Sequence, residues 1–414
     1  MLSSILNILM TLSMMDRRKL FSSLLTSSII LKDDDRIAIN SSADKAPWTL
    51  TLPLEPSSGG TNAIRMTVSY KPATALFGSK TYIPKKIFKV IVDTGSPYLV
   101  LDGMEYASFL EEADNLREEP ISTIFFLEAL TSLFEGNIPY SLGESRYGPT
   151  EEIYGSQKGM IEWKETFIQV RDNHLSRNTV VGLLDKDLMR EAGGSLLGLV
   201  KRSNIQSEKI QLRPTFLEQQ KTGEEITSFR IDSPNGLLTM TSGSSLISND
   251  AKSSDVIPLV DLRPIGDFVE HYACLVEEFR LDGDVFTPAN LFRRSNGPMR
   301  KIVGVFDSGL TGCLFTQPLW DMLQERGINL RDVSSIDVGV QTEDSRKGIP
   351  TIFHFKSEEK MNPYFNLSPI SLDWFDDEDT CPHVIVFGQT FLAQGSLTID
   401  IDERRATFAT SIDG

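Results

Sequence analysis

Two aspartates in the chain stand in nearly the same local sequence. Asp93 opens Asp93-Thr94-Gly95-Ser96, and Asp307 opens Asp307-Ser308-Gly309, 214 positions later. Apolar, β-branched residues precede each copy, which is typical of a buried strand that ends at the aspartate. Two carboxylates brought together cannot both ionise cheaply, so they share one proton at mildly acidic pH. Such a pair supplies an acid and a base at once, which is what the activation of water for hydrolysis requires.

A second pattern also occurs once in each half of the chain. An apolar pair followed by glycine comes after each aspartate motif, as Leu196-Leu197-Gly198 and as Val386-Phe387-Gly388. The same order of motifs in both halves indicates a duplicated lobe, and the turn-rich stretch at 233–236 marks the boundary. We therefore predict a targeting or disordered segment over residues 1–44, a first lobe over 45–235 and a second lobe over 236–414.

Together these motifs resemble the pepsin-like aspartic proteases, peptidase family A1, of which the chain looks like a divergent member. The resemblance implies an all-β fold with two duplicated, β-barrel-like lobes, a central cleft and few short helices. It implies an aspartic-type endopeptidase in which Asp93 and Asp307 are the catalytic pair. The substrates would be polypeptides in an extended conformation, and no metal or organic cofactor would be needed.

The residues around the two aspartates have roles that the resemblance also implies. The hydroxyls of Thr94 and Ser308 would cross-link the two loops, with Ser96 beside them. Glycine at Gly95 and Gly309 lets backbone N–H groups approach the carboxylates closely.

The family closes its cleft with a β-hairpin that carries a tyrosine before a glycine. Two tyrosines fit this description, Tyr154 and Tyr147. We favour Tyr154, because the alternating stretch at 160–170 follows it and gives a compact hairpin. Tyr147 would need a longer tip that contains Pro149.

The chain departs from the family pattern at several positions near the site. Val100 stands where a tryptophan usually supports the flap tyrosine, and Pro97 and Tyr98 replace small polar residues. Leu310 replaces a hydroxyl residue that helps to bind the second aspartate, and this loss should raise the pKa of the pair. These departures keep open an alternative function, that of a catalytically inactive member that binds peptides or proteins in its cleft.

The elements that must position these residues are predicted to be short strands. Runs rich in β-branched and aromatic residues, bounded by turn residues, predict strands near 48–54, 64–70, 87–92, 161–170, 229–232, 236–240 and 397–408. Helical spacing or a leading proline predicts helices within 105–133, where Pro120 interrupts, and at 214–220 and 318–327. The prevalence of short strands favours a β-barrel or β-sandwich architecture.

Composition excludes several other classes of protein. The 414 residues carry 57 acidic and 41 basic side chains, a net charge of −16, which repels nucleic acid and anionic membranes. Cys274, Cys313 and Cys381 are too widely spaced for a close-set metal motif, although one disulfide and one free thiol remain open.

A serine hydrolase with a histidine base is rejected on sequence. No G-x-S-x-G motif occurs. The four histidines, which we interpret as surface or core residues, have no motif around them: His174, His271, His354 and His383.

The amino terminus predicts a targeting segment. A charged stretch at 16–19 precedes an apolar stretch at 20–31, as in a signal sequence. This stretch and the largely apolar stretch at 1–14 are both shorter than the ~18–20 residues of a spanning helix, so we expect no stable membrane span. A secretory, vacuolar or organelle-lumen location is expected, with the protein as a monomer.

Overall fold

The structure, a computed structural model, describes residues 48–69, 85–115, 147–154, 157–170, 174–202, 215–219, 225–248, 250–265, 269–292, 301–347, 351–371 and 382–410. The segment 1–44, with its predicted targeting function, lies outside the described residues. So do Gly155 and Ser156, which follow Tyr154, and Cys381.

About half of the described residues lie in strands. In chain order these are β1 Thr49–Pro53, β2 Glu55–Pro56, β3 Asn62–Ser69, β4 Lys85–Asp93, β5 Leu99–Asp102, β6 Thr150–Tyr154, β7 Gln157–Val170, β8 His174–Leu184, β9 Ser195–Gly198, β10 Lys201–Arg202, β11 Ser228–Asp232, β12 Leu237–Thr241, β13 Val256–Pro258, β14 Val269–Glu270, β15 Ala273–Leu281, β16 Asp284–Phe286, β17 Ile302–Phe306, β18 Cys313–Thr316, β19 Ser335–Gln341, β20 Ile352–Glu358, β21 Leu367–Ile370, β22 His383–Phe387, β23 Gly395–Asp400 and β24 Arg405–Thr410.

The helices of the described ranges are short. They are α1 Gly103–Asn115, α2 Lys186–Ala192, α3 Pro288–Leu291, α4 Gln317–Glu325, α5 Glu343–Arg346 and α6 Gln389–Leu392, with 3-10 turns at Ser58–Gly60 and Arg263–Ile265. The protein therefore belongs to the all-β class.

Three large sheets contain most of the strands. The first has the order β2-β3-β4-β9-β5-β8-β7-β6, and β3 also pairs with β7, so that part of this sheet closes on itself. The second has the order β20-β19-β15-β17-β22-β18-β21, with β16 paired to β15. The third has the order β1-β12-β11-β23-β24-β13 and so joins strands from both ends of the described chain.

The first and second sheets repeat one scheme of pairing around the two aspartates. Strand β4 is parallel to β9, β9 is antiparallel to β5, and β5 is parallel to β8. Strands β17, β22, β18 and β21 repeat these orientations in the same order. The repeated sequence motifs thus occupy equivalent places in two similarly paired sheets.

The strands that lead to the aspartates are buried on both faces. Strand β4 is buried from Val90 to Asp93, and β17 is buried along its whole length. By contrast, β1 alternates exposed and buried residues, as expected for a strand with one face on the core. Burial on both faces holds the two strand ends in place, since neither can shift without disrupting close packing.

Most of the predicted elements are confirmed, and two predictions are wrong. The stretch 397–408 is not one strand but the hairpin β23–β24, because residues 401–404, the last three of them charged, form a turn in which Arg404 has a φ of 53°. Residues 215–219 form a turn and not a helix. There the side chain of Gln219 bonds strand β8 instead, accepting from Val180 N (2.6 Å) and donating to Val180 O (3.1 Å). Residues 116–133 of the first predicted helical region lie outside the described residues.

Candidate active site

The two aspartates stand at equivalent strand ends. Asp93 is the last residue of β4 and pairs with Gly198 of β9, while Asp307 follows β17 directly and donates its backbone N–H to Phe387 O of β22 (3.0 Å). Each aspartate motif is therefore fixed against the neighbouring strand that carries the apolar-apolar-glycine motif. The apolar-apolar-glycine motifs of the sequence thus lie beside the aspartate motifs in the structure.

The two aspartate loops are cross-linked by four buried hydrogen bonds. Thr94 Oγ1 accepts from Ser308 N (2.9 Å) and donates to Phe306 O (2.9 Å). In return, Ser308 Oγ accepts from Thr94 N (3.1 Å) and donates to Val92 O (2.7 Å). Each hydroxyl donates one hydrogen bond and accepts another across the two loops, so the arrangement fixes the distance and the orientation of the loops.

This reciprocal cross-link predicts a large stability effect at Thr94. In Thr94→Val the two partners, Ser308 N and Phe306 O, are left buried without the hydroxyl, which should lower the free energy of unfolding by about 3 kcal/mol. Thr94→Ser keeps both bonds and should lose only about 1 kcal/mol for the missing methyl group. Denaturant unfolding of the two variants measures the difference, and equal stabilities would contradict the cross-link.

Each carboxylate is held by its own loop and faces the opposite one. Gly95 N donates to Asp93 Oδ1 (2.8 Å), and Gly309 N donates to Asp307 Oδ1 (3.0 Å). A Cβ on Gly95 would lie 2.6 Å from Asp307 Cγ, and a Cβ on Gly309 would lie 2.7 Å from Asp93 Cγ. These positions admit only glycine, because each backbone packs directly against the opposite carboxyl group.

The two carboxyl groups form one coupled titrating pair. Asp93 is 6% exposed, and burial followed by the neighbouring charge of Asp307 raises the pKa of Asp93 well above its ordinary value. Burial also raises the pKa of Asp307, but the hydrogen bond from Asp93, the Gly309 N–H and the charge of His271 oppose this rise. Burial thus favours a pair that holds one proton between its two carboxyl groups. This pair can act as acid and base together.

Of the two tyrosine candidates, Tyr154 lies next to the pair. It pairs with Gln157 across the end of the β6–β7 hairpin. Its hydroxyl is hydrogen-bonded to the Ser96 side chain, and burial raises the pKa of Tyr154, with a smaller contribution from the charge of Asp93. The hairpin therefore brings a phenol to the first aspartate loop.

Aromatic residues support this hairpin in the absence of a tryptophan at position 100. The rings of Tyr98 and Trp163 meet edge to face with centroids 5.1 Å apart, and Trp163 Nε1 donates to Thr150 Oγ1 (2.7 Å). Val100 is fully buried in the apolar cluster that contains Trp163, and Tyr147 packs against the same cluster. Trp163 thus lies near the site on the hairpin itself, a position that the family resemblance did not predict.

His271, which we interpreted as a surface or core residue, lies beside the candidate site. Its Nε2 lies 3.2 Å from Gly95 O, in the first aspartate loop. Sequence reasoning missed this residue because no motif surrounds it and because 176 positions separate it from Gly95.

The interpretation holds for the other two histidines with described side chains. His354 Nδ1 bonds Asp337 Oδ1 (2.7 Å) and is partly buried. His383 is buried and stacks on Phe292, with centroids 5.0 Å apart. The side chain of His174 lies outside the described residues.

Gln389 is a second residue that sequence reasoning missed. It is fully buried, its side-chain Nε2 donates to Ser308 O (2.8 Å), and its backbone N donates to Leu310 O (2.8 Å). Gln389 therefore holds the second aspartate loop by two hydrogen bonds to its carbonyl oxygens. Its place directly after Val386-Phe387-Gly388 was the available signal.

Other chemistry has little basis in the described ranges. They hold no group of three or more histidine, cysteine, aspartate or glutamate side chains placed to bind a metal ion. Cys274 and Cys313 are free and buried. No helix in the described part of the chain has the length and apolar character needed to cross a bilayer.

No protein-family model and no curated protein matches the chain. The function must therefore be argued from the geometry of the site.

Proposed function

We propose that this chain is an aspartic endopeptidase with a two-lobed, pepsin-like fold, in which Asp93 and Asp307 activate a water molecule for peptide hydrolysis. The observation that carries the proposal is the reciprocal cross-link of Thr94 and Ser308, which brings two buried carboxyl groups together. A carboxyl pair of this kind is costly to bury, and such costs concentrate at functional sites.

The catalytic cycle begins with the pair sharing one proton. The Asp307 carboxylate takes a proton from water as the water oxygen attacks the scissile carbonyl carbon, and Asp93 gives its proton to the carbonyl oxygen. The resulting tetrahedral diol collapses when one hydroxyl returns its proton to Asp93 and the proton on Asp307 passes to the leaving nitrogen. The C–N bond breaks, and the pair regains its singly protonated state without a covalent intermediate.

The hairpin with Tyr154 gives the site a cover. A tyrosine that bonds Ser96 beside the first aspartate can close over an extended peptide and keep bulk water from the reacting atoms. Exclusion of water also strengthens the electrostatic contacts of the pair. The proposed substrate is an extended stretch of polypeptide, and the resemblance to pepsin-like proteases implies apolar side chains around the scissile bond.

The two-lobed fold is supported by the repeated pairing of β4-β9-β5-β8 and β17-β22-β18-β21, each with an aspartate at the end of its first strand. The boundary proposed at residues 235 and 236 falls in the turn between β11 and β12 of the third sheet. A monomer suffices for activity, since one chain supplies both carboxylates.

A digestion assay tests the proposed function. The full chain is incubated with an unfolded protein substrate from pH 3 to pH 7, with and without a statine-type transition-state analogue. Acid-favoured cleavage that the analogue blocks is expected. A folded chain that leaves the substrate intact at every pH refutes the proposal, and binding of the unfolded substrate without cleavage would then indicate a peptide-binding protein.

Leu310 provides a test of how the pair is tuned. Its side chain packs against an apolar cluster with Val260, Leu275 and Leu314, while its backbone N–H lowers the pKa of Asp307. Leu310→Thr adds a hydroxyl donor that stabilises the ionised carboxylate, so the pKa of the pair should fall. The acid limb of the pH–rate profile should therefore move to lower pH. Leu310→Val, which adds no donor, is the matched control, and identical limbs in the two variants would contradict this account.

A further inference from the structure

A histidine from the second half of the chain contacts the first aspartate loop. His271 lies between β14 and β15, and its Nε2 is 3.2 Å from Gly95 O. A carbonyl oxygen only accepts hydrogen bonds, so Nε2 must carry a hydrogen and donate it. Both the cationic ring and the neutral tautomer protonated at Nε2 satisfy this bond.

The loop that His271 bonds packs against both carboxyl groups of the catalytic pair. Gly95 donates its N–H to Asp93 and packs against the carboxyl group of Asp307. The charge of His271 acts on Asp307 and lowers its pKa, against the effect of burial. His271 thus makes a hydrogen bond to the loop, and its charge acts on the pair.

The acidic neighbour on the same segment is engaged by arginines. Glu270, which directly precedes His271, bonds Arg263 Nη1 (2.9 Å) through Oε1, and its Oε2 lies 4.0 Å from Arg404 Nη1. These two cations offset the charge of Glu270. Glu270 therefore has cations of its own beside His271.

We propose that His271 is a positioning residue for the proposed protease: it holds the Gly95 loop by a hydrogen bond and, when protonated, keeps Asp307 ionised at acid pH. The proposal rests on the proposed function only for its effect on rate. The coupling between the histidine and the pair is a property of the folded protein whether or not a peptide is cleaved.

The sign of the effect follows from the active form of the pair. The pair works with one proton, and as the pH falls it gains a second proton and loses its base. A cation beside Asp307 postpones this second protonation, since it favours the ionised carboxylate. Removal of the cation should therefore move the acid limb of the pH–rate profile to higher pH.

Two substitutions separate the hydrogen bond from the charge. His271→Gln keeps a side-chain donor for Gly95 O but carries no charge, so its loss of kcat/KM should be greatest at the acid end, by roughly three- to tenfold. His271→Ala loses both features and should lose activity at all pH values. His354→Gln, in a histidine that bonds Asp337, is the matched control and should keep the wild-type profile. If His271→Gln has the same pH–rate profile as the wild type, the charge has no role and the proposal is overturned.

A titration that needs no activity completes the test. Full-length protein with ¹³C-labelled aspartate carboxyl groups is titrated by NMR, with Asp93→Asn and Asp307→Asn for assignment. In His271→Gln the ionisation of the pair should move to higher pH, and an unchanged titration overturns the role of His271. The expected shift in a protein that cleaves nothing would refute the protease function and leave the role of His271 in place.

Discussion

Replacement of either catalytic aspartate by asparagine should lower kcat/KM for peptide hydrolysis by at least about 10³-fold. Asparagine keeps the size of the side chain but can neither take a proton from water nor return one to the leaving nitrogen. Each variant, Asp93→Asn and Asp307→Asn, leaves one carboxyl group without its partner, so no proton can be shared. Steady-state cleavage of a peptide across pH 3 to 7 measures the effect.

The same substitutions should not destabilise the fold. Burial raises the pKa values of both carboxyl groups, and the charge of Asp307 raises that of Asp93 further, so a neutral amide removes the cost of a buried charge. Thermal unfolding midpoints at pH 6 should therefore be equal to or higher than that of the wild type. Asp337→Asn, at the carboxylate that bonds His354, is the control for a general effect of the substitution.

Activity above a tenth of the wild type in either catalytic variant would exclude the proposed mechanism.

The second large effect is expected at Gly309. A methyl group there would lie 2.7 Å from Asp93 Cγ, which is closer than non-bonded carbon atoms approach. Gly309→Ala must push the Asp93 carboxyl group away from its partner, and a displacement of about 1 Å at a catalytic group can cost 10²-fold in rate. We expect a loss of kcat/KM of about that size.

A glycine far from any neighbour gives the matching control. Gly283 has a φ of +94°, and a Cβ there would meet no atom within 4 Å. Gly283→Ala should lower the free energy of unfolding by about 1 kcal/mol through backbone strain and leave kcat/KM unchanged. If Gly309→Ala keeps more than half of the wild-type kcat/KM, the close approach of the loops is not needed for catalysis.

The motifs around Asp93 and Asp307 could be predicted because each depends on neighbours in sequence. A strand that ends in Asp-Thr-Gly or Asp-Ser-Gly is a local pattern, and its repetition indicates that two such ends meet. The cross-link of Thr94 and Ser308 agrees with the prediction, because the two loops have the same motif and each places a hydroxyl at the equivalent position, facing the other loop.

Contacts that depend on distant, unrelated segments could not be read in this way. His271 reaches Gly95 because β14 and β15 lie beside the first aspartate loop, and nothing in the sequence around His271 signals this. Trp163 supports the hairpin from strand β7, whereas the family pattern places the supporting tryptophan at position 100. The helix predicted at 214–220 failed for the same reason, since Gln219 bonds a distant strand. Tertiary contacts decided these cases over local propensity.

The central claim is that water, activated between Asp93 and Asp307, cleaves the peptide bond directly. It is tested most directly by hydrolysis of an unfolded protein in H₂¹⁸O at acid pH, with the mass of products and enzyme followed by mass spectrometry. The account predicts ¹⁸O in each new carboxyl terminus, with the mass of the enzyme unchanged throughout the reaction. An acyl adduct on the enzyme, or an intact substrate in the presence of folded protein, would contradict it.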